Sequence, residues 1–243
     1  MPSGKPEVTL LFTAHNEADT IERVIREFYE EMHKKIPIKI LVVEDGSTDG
    51  TKEILEKLSK ELPMDLLLGK ERRGYSRAII EGLKRIDTDY VFFTDGDGQH
   101  RAEDFWKLFE LKDKYDVVSG WRVKRADALH RKVMSKVFQW MAKKLFKLPG
   151  FHDITAPYKL MRSDVAKVIA NEFRYMEESF WTEFIIRAHY RGFKITEVPV
   201  SHMGRVGGST RVYKLSKIPK IATSQFIGLL RLWQELRLKR CKF

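Results

Sequence analysis

The stretch YVFFTDGDGQH (residues 90–100) decides the fold, because residues suited to a buried strand lead directly into Asp95-Gly96-Asp97. A short apolar run bounded by turn residues is typical of a strand covered on both faces. Two carboxylates one residue apart repel each other, and a hard divalent cation that prefers oxygen ligands would relieve that repulsion. The pattern predicts an Mn²⁺ or Mg²⁺ site on Asp95 and Asp97, with Gln99 as a third oxygen ligand. The alternative is a polar turn that caps the helix beginning near residue 102.

Residues 8–122 alternate between strand-like and helix-like segments. The strand-like segments are short and mostly apolar: VTLLFTA (8–14), KILVVED (39–45), DLLLG (65–69), YVFFTD (90–95) and DVVSG (116–120). Between them lie segments such as 19–33, whose apolar residues recur at helical spacing. Asp19 or Thr20 is the expected N-cap of this helix, and Asp49 is the expected N-cap of the next helix, over 50–61. Repeated strand–helix units predict an α/β fold with a mainly parallel, doubly wound sheet flanked by helices. Ligands on such sheets bind outside the carboxyl ends of the strands.

Polar groups follow several of these predicted strands. TAHNE (13–17) follows the first strand, EDGSTDG (44–50) the second and GWR (120–122) the fifth. Glu17 and Asp45 are candidates for contacts to a ribose or a nucleobase. The structural alternatives are an acidic residue near a helix N-terminus for Glu17 and an ordinary strand–helix turn for Asp45.

After residue 122 the pattern changes. Residues 129–148 predict a basic amphipathic helix with Val133, Met134, Val137, Phe138, Met141 and Leu145 on one face. Further predicted elements are a strand within 154–162, a helix over 179–192 that stops at Gly192, an edge strand over 195–200 containing Pro199, and a second basic amphipathic helix over 218–238. On that last helix, Ile218, Ile221, Phe226, Leu229, Leu230 and Trp233 are expected on one side.

The formal net charge of +11 is concentrated in two segments. Residues 120–148 contain nine Lys and Arg against one acid, and residues 203–243 contain ten against one. Such segments indicate an anionic partner (lipid headgroups, phosphates or nucleic acid) or simply solvated helix faces. A single cysteine, Cys241, excludes an intrachain disulfide and favours an intracellular protein. Neither a signal peptide nor a transmembrane helix is predicted.

The ordered motifs together resemble a known family. They are LLFTAHNEADTI, ILVVEDGSTDGT, RRGYSRAIIEG, FFTDGDGQH, VVSGWR and ITEVPVSHMGRVGGST. Over about residues 7–212 the chain looks like a family 2 glycosyltransferase with the GT-A fold, the nucleotide-diphospho-sugar transferase fold. Within that family it resembles the polyprenyl- or dolichyl-phosphate hexose synthases, of which dolichyl-phosphate mannose synthase is typical. We therefore expect a catalytic domain over 1–212 with the helix 129–148 inserted, and a C-terminal amphipathic helix over 213–243 without a transmembrane domain.

The resemblance implies specific roles for residues of this chain. The donor nucleotide site would comprise Ala14, Glu17, Asp45, Asp95 and Gly96. The metal ligands would be Asp95, Asp97 and Gln99. Arg122 and Arg131 would bind the acceptor phosphate, and Arg205 would lie in a basic loop beside the active site, so that Asp97, Arg122 and Arg205 form the expected catalytic set.

The resemblance also implies the reaction: a hexose moves from a nucleotide-diphosphate sugar, with GDP-mannose preferred, to a polyprenyl or dolichyl phosphate. A phosphate monoester is largely deprotonated at neutral pH, so no general base is required, and direct attack on the anomeric carbon predicts inversion. Because a polyprenyl tail stays in the bilayer, the enzyme is expected on the cytoplasmic face of the membrane, peripherally bound through its amphipathic helices.

Two other readings remain open at this stage. A soluble family 2 transferase acting on a sugar or protein hydroxyl would need a carboxylate base, for which Glu183 and Asp153 are available. Glu183 is also placed to pair with Arg187 four residues later on a helix. A non-catalytic anion- or RNA-binding module would suit the basic charge, but the chain lacks the aromatic patterns of the common RNA-binding folds, so no nucleic-acid partner is expected.

Overall fold

The computed structural model describes residues 4–123, 129–148, 150–204 and 218–240, without the side chains at 129–131, 218, 239 and 240. Two of the predicted site residues are affected. Arg205 lies outside the described residues, as does Cys241, and of Arg131 only the backbone is described.

Seven strands form one sheet. They are β1 Val8–Ala14, β2 Ile38–Glu44, β3 Met64–Leu68, β4 Tyr90–Thr94, β5 Val117–Arg122, β6 Tyr158–Arg162 and β7 Ile195–Val200. Their order across the sheet is β3-β2-β1-β4-β6-β5-β7. Every neighbouring pair is parallel except those involving β6, which runs antiparallel to both β4 and β5. The prediction of an edge strand containing Pro199 is confirmed, since β7 ends the sheet and a proline there removes no ladder hydrogen bond on the open side.

Helices cover both faces of the sheet. They are α1 Ile21–His33, α2 Thr51–Leu58, α3 Tyr75–Arg85, α4 Phe105–Phe109, α5 Leu129–Leu145, α6 Ser163–Glu172, α7 Phe180–Tyr190 and α8 Ile218–Arg240. Successive residues of β1 alternate between the two cores: Leu10 and Phe12 pack with α1 and α2, whereas Leu11 packs with α3, α6 and α7. This alternation is what a strand buried on both faces requires. The predicted α/β class with a mainly parallel, doubly wound sheet is confirmed.

Local signals at the helix ends are confirmed in part. Gly192 has φ +80° and lies just past the end of α7, as predicted for a glycine stop. The Asp49 carboxylate accepts a hydrogen bond from the Thr51 backbone N–H in the first turn of α2 (3.2 Å). Thr20 does precede α1, but its hydroxyl donates to the Gly96 carbonyl (3.1 Å) instead of capping the helix. Thr20 therefore joins α1 to the loop that follows β4.

The expected apolar faces of the two basic helices differ from the buried ones. On α5, Val133 and Val137 are each 52% exposed and Trp140 is 60% exposed, while the buried side chains include Gln139 and Ala142. Hence much of the predicted apolar face of α5 points to solvent.

On α8, Leu229, Leu232 and Leu236 pack in the core, whereas Phe226 and Leu230 are exposed. None of residues 219–227 is buried. The prediction placed Phe226 and Leu230 on the same side as Leu229, and it is wrong for these two residues. The buried leucines recur three and four residues apart, at 229, 232 and 236, and this line along the helix does not include Phe226 or Leu230. No helix among the described residues is both long and apolar enough to cross a membrane.

Candidate active site

The carboxyl ends of β1, β2, β4 and β5 lie along one edge of the sheet, because these strands run in the same direction. The loops that follow them carry the polar groups predicted from the sequence. The segment preceding β6 starts at this same edge, since β6 runs the opposite way: Tyr158, its first residue, pairs with Thr94, the last residue of β4. Residues 152–157 are thereby brought beside the loop of residues 95–99.

Asp95 and Asp97 form an electrostatically unfavourable pair. Burial and the charge of Asp97 together raise the pKa of Asp95 to about 8, and Glu17 adds to this effect, while the hydrogen bond from Tyr75 and the charge of Arg122 oppose it. The negative charge at this point is thus only partly neutralised by the protein. Hard carboxylate oxygens with surplus negative charge are a donor set that fits a divalent cation.

The acidic pair is not a complete metal cage by itself. Within the described part of the chain, no group of three or more His, Cys, Asp or Glu side chains is arranged to hold an ion. Mg²⁺ and similar ions usually take one or two carboxylates and leave the other positions to water and to substrate phosphates. The geometry therefore fits a metal that is shared with a phosphate-bearing substrate.

Gln99 connects the acidic loop to the segment after β7. Its backbone N–H donates to Asp97 Oδ1 (3.1 Å), and its side-chain amide donates to the Met203 carbonyl (3.1 Å). Met203 returns a backbone hydrogen bond to the Gln99 carbonyl (2.8 Å). This bridge anchors the chain two residues before Arg205, and the metal-ligand role of Gln99 stays a prediction.

Gly96 packs closely against α1. A Cβ atom at this position would lie 2.6 Å from Ile21 Cδ1, and Ile21 is fully buried. The Gly96 carbonyl is held by the Thr20 hydroxyl from the same helix. The spacing of the two aspartates thus depends on packing against the start of α1.

The predicted nucleotide contacts lie along the β1–β2 side of the edge. Ala14 ends β1, and its carbonyl accepts the Asp45 N–H (2.8 Å). The buried Asp45 carboxylate accepts hydrogen bonds from the backbone N–H groups of Arg73 (2.6 Å) and Gly74 (2.8 Å), just before α3. The structure therefore gives Asp45 a clear local role in tying β2 to α3. Glu17 lies close enough to Asp95 to raise its pKa.

Arg122 is fixed by an ion pair. Its Nε donates to Asp153 Oδ2 (2.7 Å), and Nη2 donates to Asp153 Oδ1 (3.1 Å) and to Thr155 Oγ1 (2.8 Å). Asp153 is itself held by its backbone N–H, which donates to the buried Glu197 carboxylate (2.9 Å). From the sequence, Asp153 was only one of two possible bases, whereas the structure makes it the principal partner of Arg122.

Glu183 is committed to the fold. Its fully buried carboxylate accepts hydrogen bonds from three successive backbone N–H groups, those of Arg174, Tyr175 and Met176 (2.9 Å each), and from Arg187 Nε (2.7 Å). The predicted pairing of Glu183 with Arg187 is confirmed.

Three side chains in this region were not recognised from the sequence: Tyr75 and Trp181 at the acidic pair, and Lys159 close enough to Arg122 and Asp153 to feel their charges. The Tyr75 hydroxyl, at the start of α3, donates to Asp95 Oδ1 (2.9 Å), and the Trp181 indole N–H donates to the Tyr75 oxygen (3.1 Å). Lys159 is fully buried, with Nζ 2.5 Å from Ser119 Oγ and 5.5 Å from the centroid of the Trp181 ring. Burial lowers the pKa of Lys159 to about 8. For Lys159 the sequence signal is a lysine inside an apolar strand, and for Tyr75 it is the motif RRGYSRAIIEG (72–82), which contains it. Neither signal indicates what these side chains contact.

Comparisons with known proteins identify similar glycosyltransferases. The chain is 28% identical over 214 residues to glycosyltransferase AglJ of Haloferax volcanii, covering 83% of this chain and 65% of that protein. It is 26% identical over 248 residues to the dolichol-phosphate mannosyltransferase of Pyrococcus furiosus, covering 92% of this chain and 68% of that protein. The chain thus spans about two thirds of the length of these relatives.

Among solved structures, the mannosyltransferase PcManGT of Pyrobaculum calidifontis, in complex with GDP-Man and Mn²⁺, superposes with a TM-score of 0.64 at 20% identity. This match covers 94% of the present chain and 65% of PcManGT, and it shows that the fold is that of GT-A glycosyltransferases. The family model described as glycosyl transferase family 2 matches residues 9–170. The chain, with its acidic pair at the carboxyl edge of a GT-A sheet, therefore belongs to glycosyl transferase family 2.

Proposed function

We propose that the protein is a metal-dependent, inverting hexosyltransferase that moves a hexose from a nucleotide-diphosphate sugar to a polyprenyl or dolichyl phosphate. The observation that carries the proposal is the juxtaposition of an acidic pair, Asp95 and Asp97, with the positively charged Arg122, close enough to lower the pKa of Asp95. In such a site a bound cation would contact the phosphates of one substrate and the arginine would contact the phosphate of the other. This arrangement suits a reaction between two phosphate-bearing molecules.

The acidic pair would serve the donor. Asp95 and Asp97 would hold Mn²⁺ or Mg²⁺, with Gln99 as a further oxygen donor, and Ala14, Glu17, Asp45 and Gly96 would line the nucleotide site. When bound, the ion supplies Lewis-acid stabilisation for the charge that develops on the departing diphosphate. GDP-mannose is the preferred donor, supported by the names of the P. furiosus relative and of PcManGT.

Arg122 would serve the acceptor. Its ion pair with Asp153 fixes the plane of the guanidinium, and a preorganised cation loses little free energy in reorganisation when a phosphate binds. Arg131 and Arg205 are proposed to add positive charge around the same phosphate. The two carboxylates considered as bases for a hydroxyl acceptor are both engaged, Asp153 with Arg122 and Glu183 with Arg187, which favours an acceptor that needs no base.

The exposed apolar side chains of α5 and α8 support a place for the enzyme at a membrane surface, which we propose to be the cytoplasmic face. Val133, Val137 and Trp140 on α5, and Phe226 and Leu230 on α8, accompany lysines and arginines on the same helices. Helices with this composition bind the interface of anionic bilayers. Both helices pack on the same side of the sheet, through Ala142 of α5 and Leu229 of α8.

The test is a donor and acceptor screen with purified protein. GDP-mannose and UDP-glucose would each be offered with Mn²⁺ and a polyprenyl phosphate in vesicles containing anionic lipid, and the product would be identified by mass spectrometry and by the anomeric configuration of the transferred sugar. We expect a polyprenyl phosphate that carries the hexose with inverted anomeric configuration. The Asp97→Ala variant should fold normally and form no product. Transfer to a sugar or protein hydroxyl instead, or full activity of Asp97→Ala, would overturn the proposal.

A further inference from the structure

A chain of two hydrogen bonds runs from α7 through α3 to the acidic loop. The Trp181 indole N–H donates to the Tyr75 hydroxyl (3.1 Å), and the Tyr75 hydroxyl donates to Asp95 Oδ1 (2.9 Å). The three residues belong to separate elements, and Tyr75 and Trp181 are 106 residues apart in the chain. The indole N–H can only donate, and the Tyr75 hydroxyl that accepts this bond donates its own hydrogen to Asp95.

The first member of this chain, Trp181, is firmly held. It is only 3% exposed and packs against Phe93, Phe180 and Phe184, with ring centroids 4.8, 5.0 and 5.5 Å away. The orientation of its indole N–H is therefore determined by packing in the core. Phe93 lies on β4, two residues before Asp95. The strand that leads to the Asp95 carboxylate is therefore packed directly against the Trp181 ring, which orients Tyr75.

Tyr75 is constrained at both ends of its side chain. Its ring meets Phe93 edge to face at 6.3 Å, and its oxygen receives the Trp181 bond while donating to Asp95. Because the Tyr75 oxygen already accepts the hydrogen bond from Trp181, its own hydrogen is directed towards Asp95. One oxygen of Asp95 is thereby held in place before any ligand arrives.

We propose that Tyr75, oriented by Trp181, is a positioning residue that presents Asp95 to the divalent cation and so sets the affinity of the site for that ion. This inference rests on the metal-dependent function proposed above. Carboxylates that bind metals are themselves hydrogen-bonded, and loss of such an outer partner typically weakens metal affinity by about 10- to 100-fold. Tyr75 supplies this partner from a helix that carries no proposed metal ligand.

The experiment compares Tyr75→Phe with a matched control on the same strand. Tyr90 begins β4, and its hydroxyl donates to Asp113 (3.2 Å), so Tyr90→Phe removes the same kind of bond at the opposite end of the strand. Mn²⁺ alone would be titrated into each protein by calorimetry, with and without inorganic pyrophosphate, and the melting temperature would be recorded in parallel. We expect the Mn²⁺ dissociation constant of Tyr75→Phe to rise by about 10-fold or more, and that of Tyr90→Phe to match the wild type.

Two further readouts separate positioning from general stability. Raising the Mn²⁺ concentration should restore the transfer rate of Tyr75→Phe towards that of the wild type. Trp181→Phe should weaken Mn²⁺ binding in the wild-type background but add little to Tyr75→Phe, because residues acting in series are not additive. Wild-type Mn²⁺ affinity in Tyr75→Phe would overturn this inference alone, whereas absence of Mn²⁺ binding by the wild type would overturn the proposed function together with it.

Discussion

Asp153 holds Arg122 in a two-point ion pair, Nε to Oδ2 at 2.7 Å and Nη2 to Oδ1 at 3.1 Å, with both side chains less than a tenth exposed. The two residues are 31 positions apart and meet because β6 runs antiparallel between β4 and β5. Arg122 at the end of β5 and the segment before β6 therefore share one edge of the sheet. The Arg122–Asp153 pair therefore has two roles: it stabilises this edge of the sheet, and it orients the arginine that we propose to bind the acceptor phosphate.

Asp153→Ala should reduce both stability and activity. Breaking a buried ion pair by removing one partner typically costs about 3–5 kcal/mol in the free energy of unfolding. Denaturant unfolding would measure this loss. The double variant Arg122→Met/Asp153→Leu should recover most of the stability, because both charges are gone, and should remain inactive. An Asp153→Ala protein as stable and active as the wild type would contradict the role given to this pair.

The buried cluster around Arg187 on α7 predicts a contrast with Arg191, the residue that directly follows α7. Arg187 is 1% exposed and bridges the buried Glu183 to Glu235 on α8, with Nη2 3.1 Å from Glu235 Oε2. Arg191→Met, which breaks the more exposed pair with Glu172 at the end of α6, should cost at most about 1 kcal/mol. Arg187→Met should cost about 3–5 kcal/mol. If urea unfolding gave equal losses of unfolding free energy for the two variants, burial would not determine how much these ion pairs stabilise the protein.

The contact between Gly96 and α1 predicts that a small substitution disturbs the metal site. In Gly96→Ala the new methyl would lie 2.6 Å from Ile21 Cδ1, an overlap that typically costs about 1–3 kcal/mol. We expect weaker Mn²⁺ binding, because the acidic loop must shift. Ile21→Val removes the clashing atom, so Gly96→Ala/Ile21→Val should bind Mn²⁺ more tightly than Gly96→Ala. If the second change brings no recovery, the close approach is not the reason for a glycine here.

Lys159 predicts a pH dependence of stability in the alkaline range. Burial lowers its pKa from 10.5 to about 8, so between these values the unfolded chain binds more protons than the folded protein. The free energy of unfolding should consequently rise with pH from about 8 to 10.5 relative to Lys159→Met. At about 1.4 kcal/mol per unit of pKa, the rise is at most about 3.5 kcal/mol.

The matched control for this window is Lys84→Met, which removes an exposed lysine at the end of α3. Its stability difference from the wild type should stay flat over the same pH range. A flat profile for Lys159→Met as well would mean that Lys159 keeps an ordinary pKa in the folded protein.

The sequence by itself determined the fold class and the acidic loop. Apolar runs such as those of β1, β2 and β4 match the observed strands within a residue or two, since a strand buried on both faces leaves a continuous local signal. The spacing of Asp95 and Asp97 is likewise local and directly readable. The pairing of Glu183 with Arg187 could be predicted for the same reason, because four residues make one helical turn.

Only the tertiary structure decided which distant groups meet. The antiparallel insertion of β6 brings Asp153 to Arg122, and the packing of α3 and α7 around Phe93 brings Tyr75 and Trp181 to Asp95. The exposure of Phe226 and Leu230 could not be predicted from the sequence either, since it depends on which side of α8 packs against the domain. Strand order and helix docking follow from the packing of the whole chain, so contacts between residues far apart in sequence leave no periodic pattern in the sequence itself.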